Sequence, residues 1–521
     1  MLSHRRMFIV LFALVMLLAF TGSSQAIPAF SRQYGTSCST CHVDFPKLND
    51  FGKAFKDAGF KFPKDDESFI KVPPVLLGAP ANKELWPHTI WPGSIPGALP
   101  IGLRYNQFFQ VVSANRNNFN SQNPTDPTKQ SFIPQTDFQP GLFSIFTAGN
   151  FGSDIAFWVD DDFSVGGANG NGGLGDGYLK FVNVGRFLKL PTDALSLRVG
   201  RFELDLPYSQ ARTWNLSGWD IYGQTNLGVG NVDNVNNTFT LANAAHGVEF
   251  SGGHNYGGYH YSLAIVDQNT GGTPSGGTNV KPQVTYVSDS NYKDIYARFA
   301  YRFNLERDPA SRNEIQAAGA TGPRDHTYLN LGTLYFYGRS VQRFQGQDAN
   351  NSPVVLTARE PFYRVGGDFT FNYHALNLFG QFIYGRDQNL LPVLPAGVPP
   401  PTGFTTGSPA HFSGGFLEAD YLVYPWMMAI MRWDRVNSRA DFLNGIGADI
   451  NAPPPTAFFS PVSSVRNRYT PGIQFLIHAN IKTSFEYQIR PKQVVYAPGA
   501  STSLTSPFRT NSAVAGLEFV Y

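Results

Sequence analysis

From about residue 100 to its end the chain alternates apolar and polar positions in segments of nine to fourteen residues. The clearest run is Ile295 to Leu305. Ile295, Ala297, Phe299, Tyr301, Phe303 and Leu305 fall on one face, and Tyr296, Arg298, Ala300, Arg302 and Asn304 on the other. A period of two is that of a strand, and an apolar face backed by a charged one suits a strand between lipid and a wet lumen. A soluble sandwich also alternates, but its polar face rarely keeps paired arginines while its apolar face ends in aromatic residues at both borders.

Runs of this kind begin near residues 101, 140, 153, 176, 194, 246, 258, 293, 326, 361, 376, 411, 425, 466, 480 and 510, which makes sixteen. Tight joins at Gly149 to Gly152, Lys189 to Asp193, His374-Ala375 and Ala479-Asn480 alternate with long Asn/Gly/Pro-rich stretches at 114–139, 206–245, 388–410 and 438–465. Short periplasmic turns and long external loops alternate in this way when both chain ends lie in the periplasm. One connection, 306–325, is too long for the rule. The chain stops on Ala513, Ala515, Leu517, Phe519 and Tyr521, a terminal strand ending on an aromatic. The pattern predicts an all-β fold, a transmembrane antiparallel barrel of about sixteen strands over residues 101–521 in a bacterial outer membrane.

The first hundred residues follow other periods. A basic start (His4, Arg5, Arg6), an apolar run from Met7 to Phe20 and small residues around Ser24-Gln25-Ala26 predict a secretion signal over 1–26 and a mature start at Ile27. That run is too short for a membrane helix, and no later segment offers the eighteen or so uninterrupted apolar residues a spanning helix needs. Strands must therefore do any crossing. Leu48, Phe51, Phe55 and Ala58 recur at helical spacing before Gly59, predicting a short amphipathic helix, after which Pro63, Pro73, Pro74 and Pro80 predict an extended chain. Residues 27–80 are read as one small unit and 81–100 as a linker.

Composition sharpens this division. Only 15% of residues are charged while 14% are aromatic, so the aromatics require an apolar surface beyond an ordinary core. The net charge of +2 gives no basis for nucleic-acid binding.

The chain has two cysteines, both in Cys38-Ser39-Thr40-Cys41-His42. Thiols three positions apart can each add across a vinyl group of a haem, and the adjoining histidine is then held under the iron. A disulfide or redox CxxC is the plainer alternative, but no thioredoxin-like strand-helix context surrounds the pair. One covalently bound haem c is therefore expected on Cys38 and Cys41 with His42 as proximal ligand, and with Phe51 and Phe55 packing on the porphyrin. For the sixth iron position, the usual methionine partner occurs in the mature chain only at Met427, Met428 and Met431, far away in sequence, and His88 is the nearest histidine. Asp160, Asp161 and Asp162 near an external strand end are candidate hard-oxygen ligands for Fe(II), a solvated loop edge being the bland alternative.

The segment around the haem motif resembles the fused monohaem cytochrome-porins of the outer membrane, several of which oxidise ferrous iron at the surface of iron-oxidising bacteria. The resemblance rests on Ile27-Pro28-Ala29-Phe30-Ser31-Arg32 before the motif, on Cys38 to His42, and on Phe45-Pro46, Leu48-Asn49, Phe51-Gly52 and Gly59-Phe60 after it. It is specific over roughly residues 27–62 and architectural beyond. It implies Fe(II) as extracellular electron donor, one-electron transfer, and a soluble periplasmic cytochrome c as acceptor. An N-terminal unit of that size would plug the lumen of a sixteen-strand barrel, which eight strands would leave too narrow. Two other classes compete. A porin-like solute channel with a haem-bearing plug or sensor should line its lumen with a charge ladder, which Arg298 and Arg302 favour slightly. A membrane-anchored peroxidase should show a distal His with a nearby Arg, and no local pair of that kind stands out.

Overall fold

The computed structural model describes residues 29–44, 46–77, 94–112, 135–165, 173–209, 215–223, 244–267, 292–305, 327–347, 353–387, 410–438, 465–490 and 511–521, with a few short stretches between them. Sixteen antiparallel strands close into one barrel. They are β1 Ile101–Val112, β2 Gln135–Phe151, β3 Ile155–Val165, β4 Gly173–Phe181, β5 Ser196–Phe202, β6 Ala245–Gly253, β7 Gly258–Asp267 and β8 Asp294–Asn304. The second half continues with β9 Tyr328–Gln347, β10 Pro353–Tyr373, β11 Leu376–Asp387, β12 Ala410–Tyr424, β13 Met427–Ser438, β14 Val465–His478, β15 Ile481–Gln488 and β16 Ser512–Val520. Each pairs with its neighbour in sequence, and β16 returns to pair with β1 from Ser512 opposite Val112 to Val520 opposite Arg104. The final residue completes the seam, with Leu103 and Tyr521 exchanging backbone hydrogen bonds at 2.7 and 2.8 Å.

The strand number and the alternation of short and long connections are those expected. The largest offsets are β2 and β10, which begin at Gln135 and Pro353 rather than near 140 and 361. A tilted spanning strand needs only about 9–11 residues. The 20 and 21 residues of β9 and β10 therefore carry their ladder past the bilayer, where the lipid-facing half of the pattern is no longer required. The connection flagged as too long runs from Asn304 to Tyr328, and residues 306–326 lie outside the described residues, as does the secretion signal.

Along β8, Asp294, Tyr296, Arg298, Ala300 and Arg302 are buried, while Ile295, Phe299, Tyr301 and Phe303 are exposed. Polar inside and apolar outside inverts the usual rule, because the outer solvent is hydrocarbon. Tyr301, Phe303, Tyr373, Tyr424, Trp426 and Tyr521 stand exposed near the short-turn end, an aromatic girdle at the interface depth. A closed, even-numbered barrel with this exterior leaves no sheet edge unpaired in lipid, and it places the protein in the bacterial outer membrane. No helix among the described residues is long and apolar enough to cross a membrane.

Candidate functional site

The N-terminal segment folds as a small unit with its own core. Helix α1 (Ala29–Tyr34) leads through a 3-10 turn (Cys38–Thr40) and a two-stranded ribbon (His42–Asp44 with Lys47–Leu48) into helix α2 (Asp50–Asp57). The predicted helix thus starts two residues after Leu48, which the ribbon claims by pairing with His42. Asn49 sets the boundary. Its carboxamide oxygen accepts from Gly52 N at 2.8 Å as an N-cap, and its amide nitrogen donates to the carbonyls of Ser39 and Thr40 at 3.2 and 3.0 Å. One side chain therefore ties the helix to the cysteine turn. Gly52 brings them into contact, since a Cβ there would lie 2.1 Å from the Cys41 carbonyl oxygen.

Phe51 and Phe55 are buried in a ring cluster with Phe30, Tyr34, Phe60 and Phe62, Phe51 meeting Phe62 edge-on at 5.0 Å and Tyr34 stacking on Phe62 at 4.4 Å. Cys41 packs against this cluster. Beyond it the stretch expected to be extended from Pro63 holds one helical turn, Asp66–Phe69. The Asp66 carboxylate accepts from Tyr34 Oη at 2.8 Å and Phe62 N at 2.7 Å, which pins that turn to the core.

Cys38 and Cys41 lie on the 3-10 turn as free thiols, and burial pushes Cys41 up to about 12. His42 Nδ1 donates to the Pro46 carbonyl at 3.2 Å, which leaves the lone pair on Nε2. Burial lowers His42 to about 4, so the ring is neutral, the form in which imidazole ligates a metal. Two thiols on one turn, a neutral oriented imidazole beside them and an aromatic cluster behind form a donor set that fits a c-type haem.

The unit sits inside the barrel at its short-turn end, because it touches inward-facing residues on opposite sides of the wall. On one side, Phe60 lies 5.7 Å from Trp158 and the ring cluster packs on Ala148, Ala156 and Val182. Gly59 allows this approach: its φ is +83°, and a Cβ would fall 2.8 Å from Val182 Cγ2. On the other side, Lys47 pairs with Asp420 of β12 at 3.7 Å, and Val43 packs on Met428 and Ile430 of β13. Between them, Arg302 of β8 grips the Asp50 carboxylate with two bonds of 2.7 and 2.6 Å. Burial alone would raise the Asp50 carboxyl, but Lys53 and Arg302 outweigh it and hold it well below the usual carboxylate range.

A second segment enters the lumen from the other direction. β5 stops after seven residues, and the described residues 203–209 and 215–223 lie as a strap across the interior. Trp219 donates to Glu418 at 2.9 Å and stacks on Phe416 at 4.8 Å, Ser217 donates to Glu486 at 2.6 Å, and Asp220 pairs with Arg468 at 3.0 Å. A cavity of about 330 Å3 separates plug from strap, with Pro46 and Lys47 on one side and Tyr208 and Trp219 on the other.

The remaining sequence candidates fall as follows. Arg298 and Arg302 both face the lumen, but each is paired, Arg298 with Asp368 through two bonds of 2.5 and 3.1 Å and Arg302 with the plug. They are fastenings and do not form a free charge ladder. Asp160 and Asp161 are consecutive on β3, so the pleat directs them to opposite faces, and the Asp160 carboxylate accepts from Asp176 N, while the Asp162 side chain lies outside the described residues. Among the described residues no three His, Cys, Asp or Glu side chains gather as a metal site. His88 is exposed in a turn. Asn49 and Gly52 enter the sequence analysis only as part of the resemblance and Asp50 not at all, because their roles appear only against the cysteine turn and the wall. It set Met428 aside for its distance along the chain, although the period of two places it on the inner face with Ile430, Arg432 and Asp434.

No protein-family model matches the chain, and no curated protein matches it by sequence. Among solved structures the barrel is similar to the outer membrane channel DcaP of Acinetobacter baumannii (9% identity, 81% of this chain and 96% of that chain covered, TM-score 0.41). It is also similar to Pseudomonas putida OprB (11%, 81% and 94%, TM-score 0.44) and to Salmonella typhi OmpF, solved as a complex with daunomycin (10%, 81% and 98%, TM-score 0.42). The fold stands on the strand order and closure described above.

Proposed function

We propose that this chain is an outer-membrane c-type cytochrome that takes electrons from extracellular Fe(II) and delivers them to a soluble periplasmic cytochrome c, with one haem c as its redox cofactor. The observation that carries the reading is the placement of the Cys38-to-His42 unit: it is built into a plug fastened inside a membrane barrel at the end with short turns. Bound there, the haem would supply a one-electron Fe(III)/Fe(II) couple. Cys38 and Cys41 would hold it through thioether bonds, and His42 would ligate the iron through Nε2, its ring fixed by the Pro46 carbonyl. Phe51 and Phe55 would shield it within the ring cluster. Outside, each Fe(II) gives up one electron and becomes Fe(III); inside, one acceptor cytochrome gains it.

A porin-like solute channel carrying a haem-bearing plug is the alternative. Both plug and strap occupy the lumen, and Arg298 and Arg302, the arginines that favoured a charge ladder, are spent on ion pairs. These features support a conduit for electrons over one for solutes. Anaerobic addition of Fe(II) to the purified, detergent-solubilised protein tests this, read by the haem absorption bands at acidic and neutral pH. Appearance of the reduced bands is expected. A haem that stays oxidised at both pH values sinks the reading, and a large steady conductance of the intact protein in a planar bilayer favours the channel.

A further inference from the structure

We infer that Met428, on the barrel wall, supplies the iron ligand opposite His42, so that plug and barrel hold the cofactor jointly. The inference rests on the haem reading above. After residue 16 the chain has three methionines, Met427, Met428 and Met431, all on β13. The pleat divides them. Met431 is half exposed on the outer face, which Met427 shares by parity, while Met428 is 2% exposed and faces the lumen.

The plug turns its haem-motif side toward that sector. Lys47 reaches Asp420 on β12, Val43 packs on Met428 and Ile430 on β13, and the Lys482 ammonium on β15 bears electrostatically on His42. An axial ligand contributed by the wall must therefore come from β12 to β15. Toward the short-turn end, where the plug sits, the buried inner face of that sector is otherwise polar, with Glu418, Asp420, Arg432, Gln474 and Lys482, and the apolar Phe412, Phe416 and Val436 lie farther along β12 and β13. Met428 and Ile430 are an apolar island in it, lying against the neighbour of the proximal histidine. Lys482 is committed to Glu518 at 3.3 Å and would bring a charge into a site that is otherwise desolvated. A thioether is neutral, soft and needs no counterion, and histidine with methionine is the pair that electron-transfer cytochromes use to hold a high potential. If Met428 only fills space against Val43, leucine should replace it without consequence.

The test uses full-length protein purified with its haem. Oxidised protein should show the far-red thioether-to-iron charge-transfer band. The double variant Met427→Leu with Met431→Leu, which leaves Met428 as the last methionine after residue 16, should keep it. Met428→Leu should lose the band while retaining its pyridine-haemochrome signal; its midpoint potential should fall, and its reduced form should bind carbon monoxide readily. Retention of the band in Met428→Leu, loss of it in the double variant, or its absence from haem-loaded wild type overturns the inference alone. Absence of haem from wild type overturns the preceding reading and this one together. Should Met428→Leu fail to assemble, the double variant still decides.

Discussion

Two segments occupy the lumen of this barrel, and they differ in where their core comes from. The plug carries its own core, six aromatic rings around α2, and meets the wall through the edge of that core and a ring of polar contacts. The strap (203–209 and 215–223) shares its core with the wall instead, burying Leu204, Trp219, Ile221 and Tyr222 among rings such as Phe379 and Phe416, and it bonds to Glu418, Glu486, Asp434, Arg432 and Arg468. Burying rings against one another within one segment offsets chain entropy locally, whereas a strap whose apolar and polar partners both belong to the wall is ordered only when that wall is already in place. The plug is thus a module that can form around a cofactor before docking, and the strap is a product of the finished barrel.

Gly52→Val should break that contrast most severely if it is wrong. The added carbons collide with the Cys41 carbonyl, so haem attachment should be lost while the barrel keeps its heat-modifiable gel mobility. Loss of the folded barrel as well would mean that plug and wall fold as one. Next comes Asp50→Asn, which strands the Arg302 guanidinium in a buried place at about 3 to 5 kcal/mol. Haem should remain attached but the plug should become accessible to protease, and any ligand bond from the wall should go with it. Trp219→Ala removes the ring that stacks on Phe416 and should cost about 3 kcal/mol, confined to the strap. New cleavage within 203–223 beside an unchanged haem spectrum is expected, and an altered spectrum would show that the two segments are coupled.

Gly59→Ala is gentler. Its left-handed backbone costs about 1–2 kcal/mol for any side chain, and the new methyl presses on Val182. Weakened docking with haem retained is the expected result, read by the midpoint of thermal release of the plug. Acid should have the least effect. Because the folded carboxyl of Asp50 titrates below its ordinary value of 3.8, the unfolded chain binds the proton first, and the stability this pair contributes is fully present above about pH 4. Docking should be flat from pH 7 to 4 and weaken only as pH falls further toward the depressed value. An Asp50-dependent loss of docking between pH 6 and 5 would contradict that sign.

The barrel was legible because its physics is local. A strand between hydrocarbon and a polar lumen must alternate, and each of the sixteen strands states this within its own residues, as Ile295 to Phe303 do. The Cys38-to-His42 motif on which the haem proposal rests is visible for the same reason, since it is a spacing along the chain. Where each inward side chain ends up could not be read this way. Arg298 and Arg302 are alike in sequence, yet one fastens wall to wall at Asp368 and the other fastens wall to plug at Asp50. Met428 lies 386 positions beyond His42 by number, and barrel closure places it against Val43. Alternation determined that these residues face inward; only closing the sheet around a folded plug decided what they meet there, because that depends on strand register and docking, which no local period encodes.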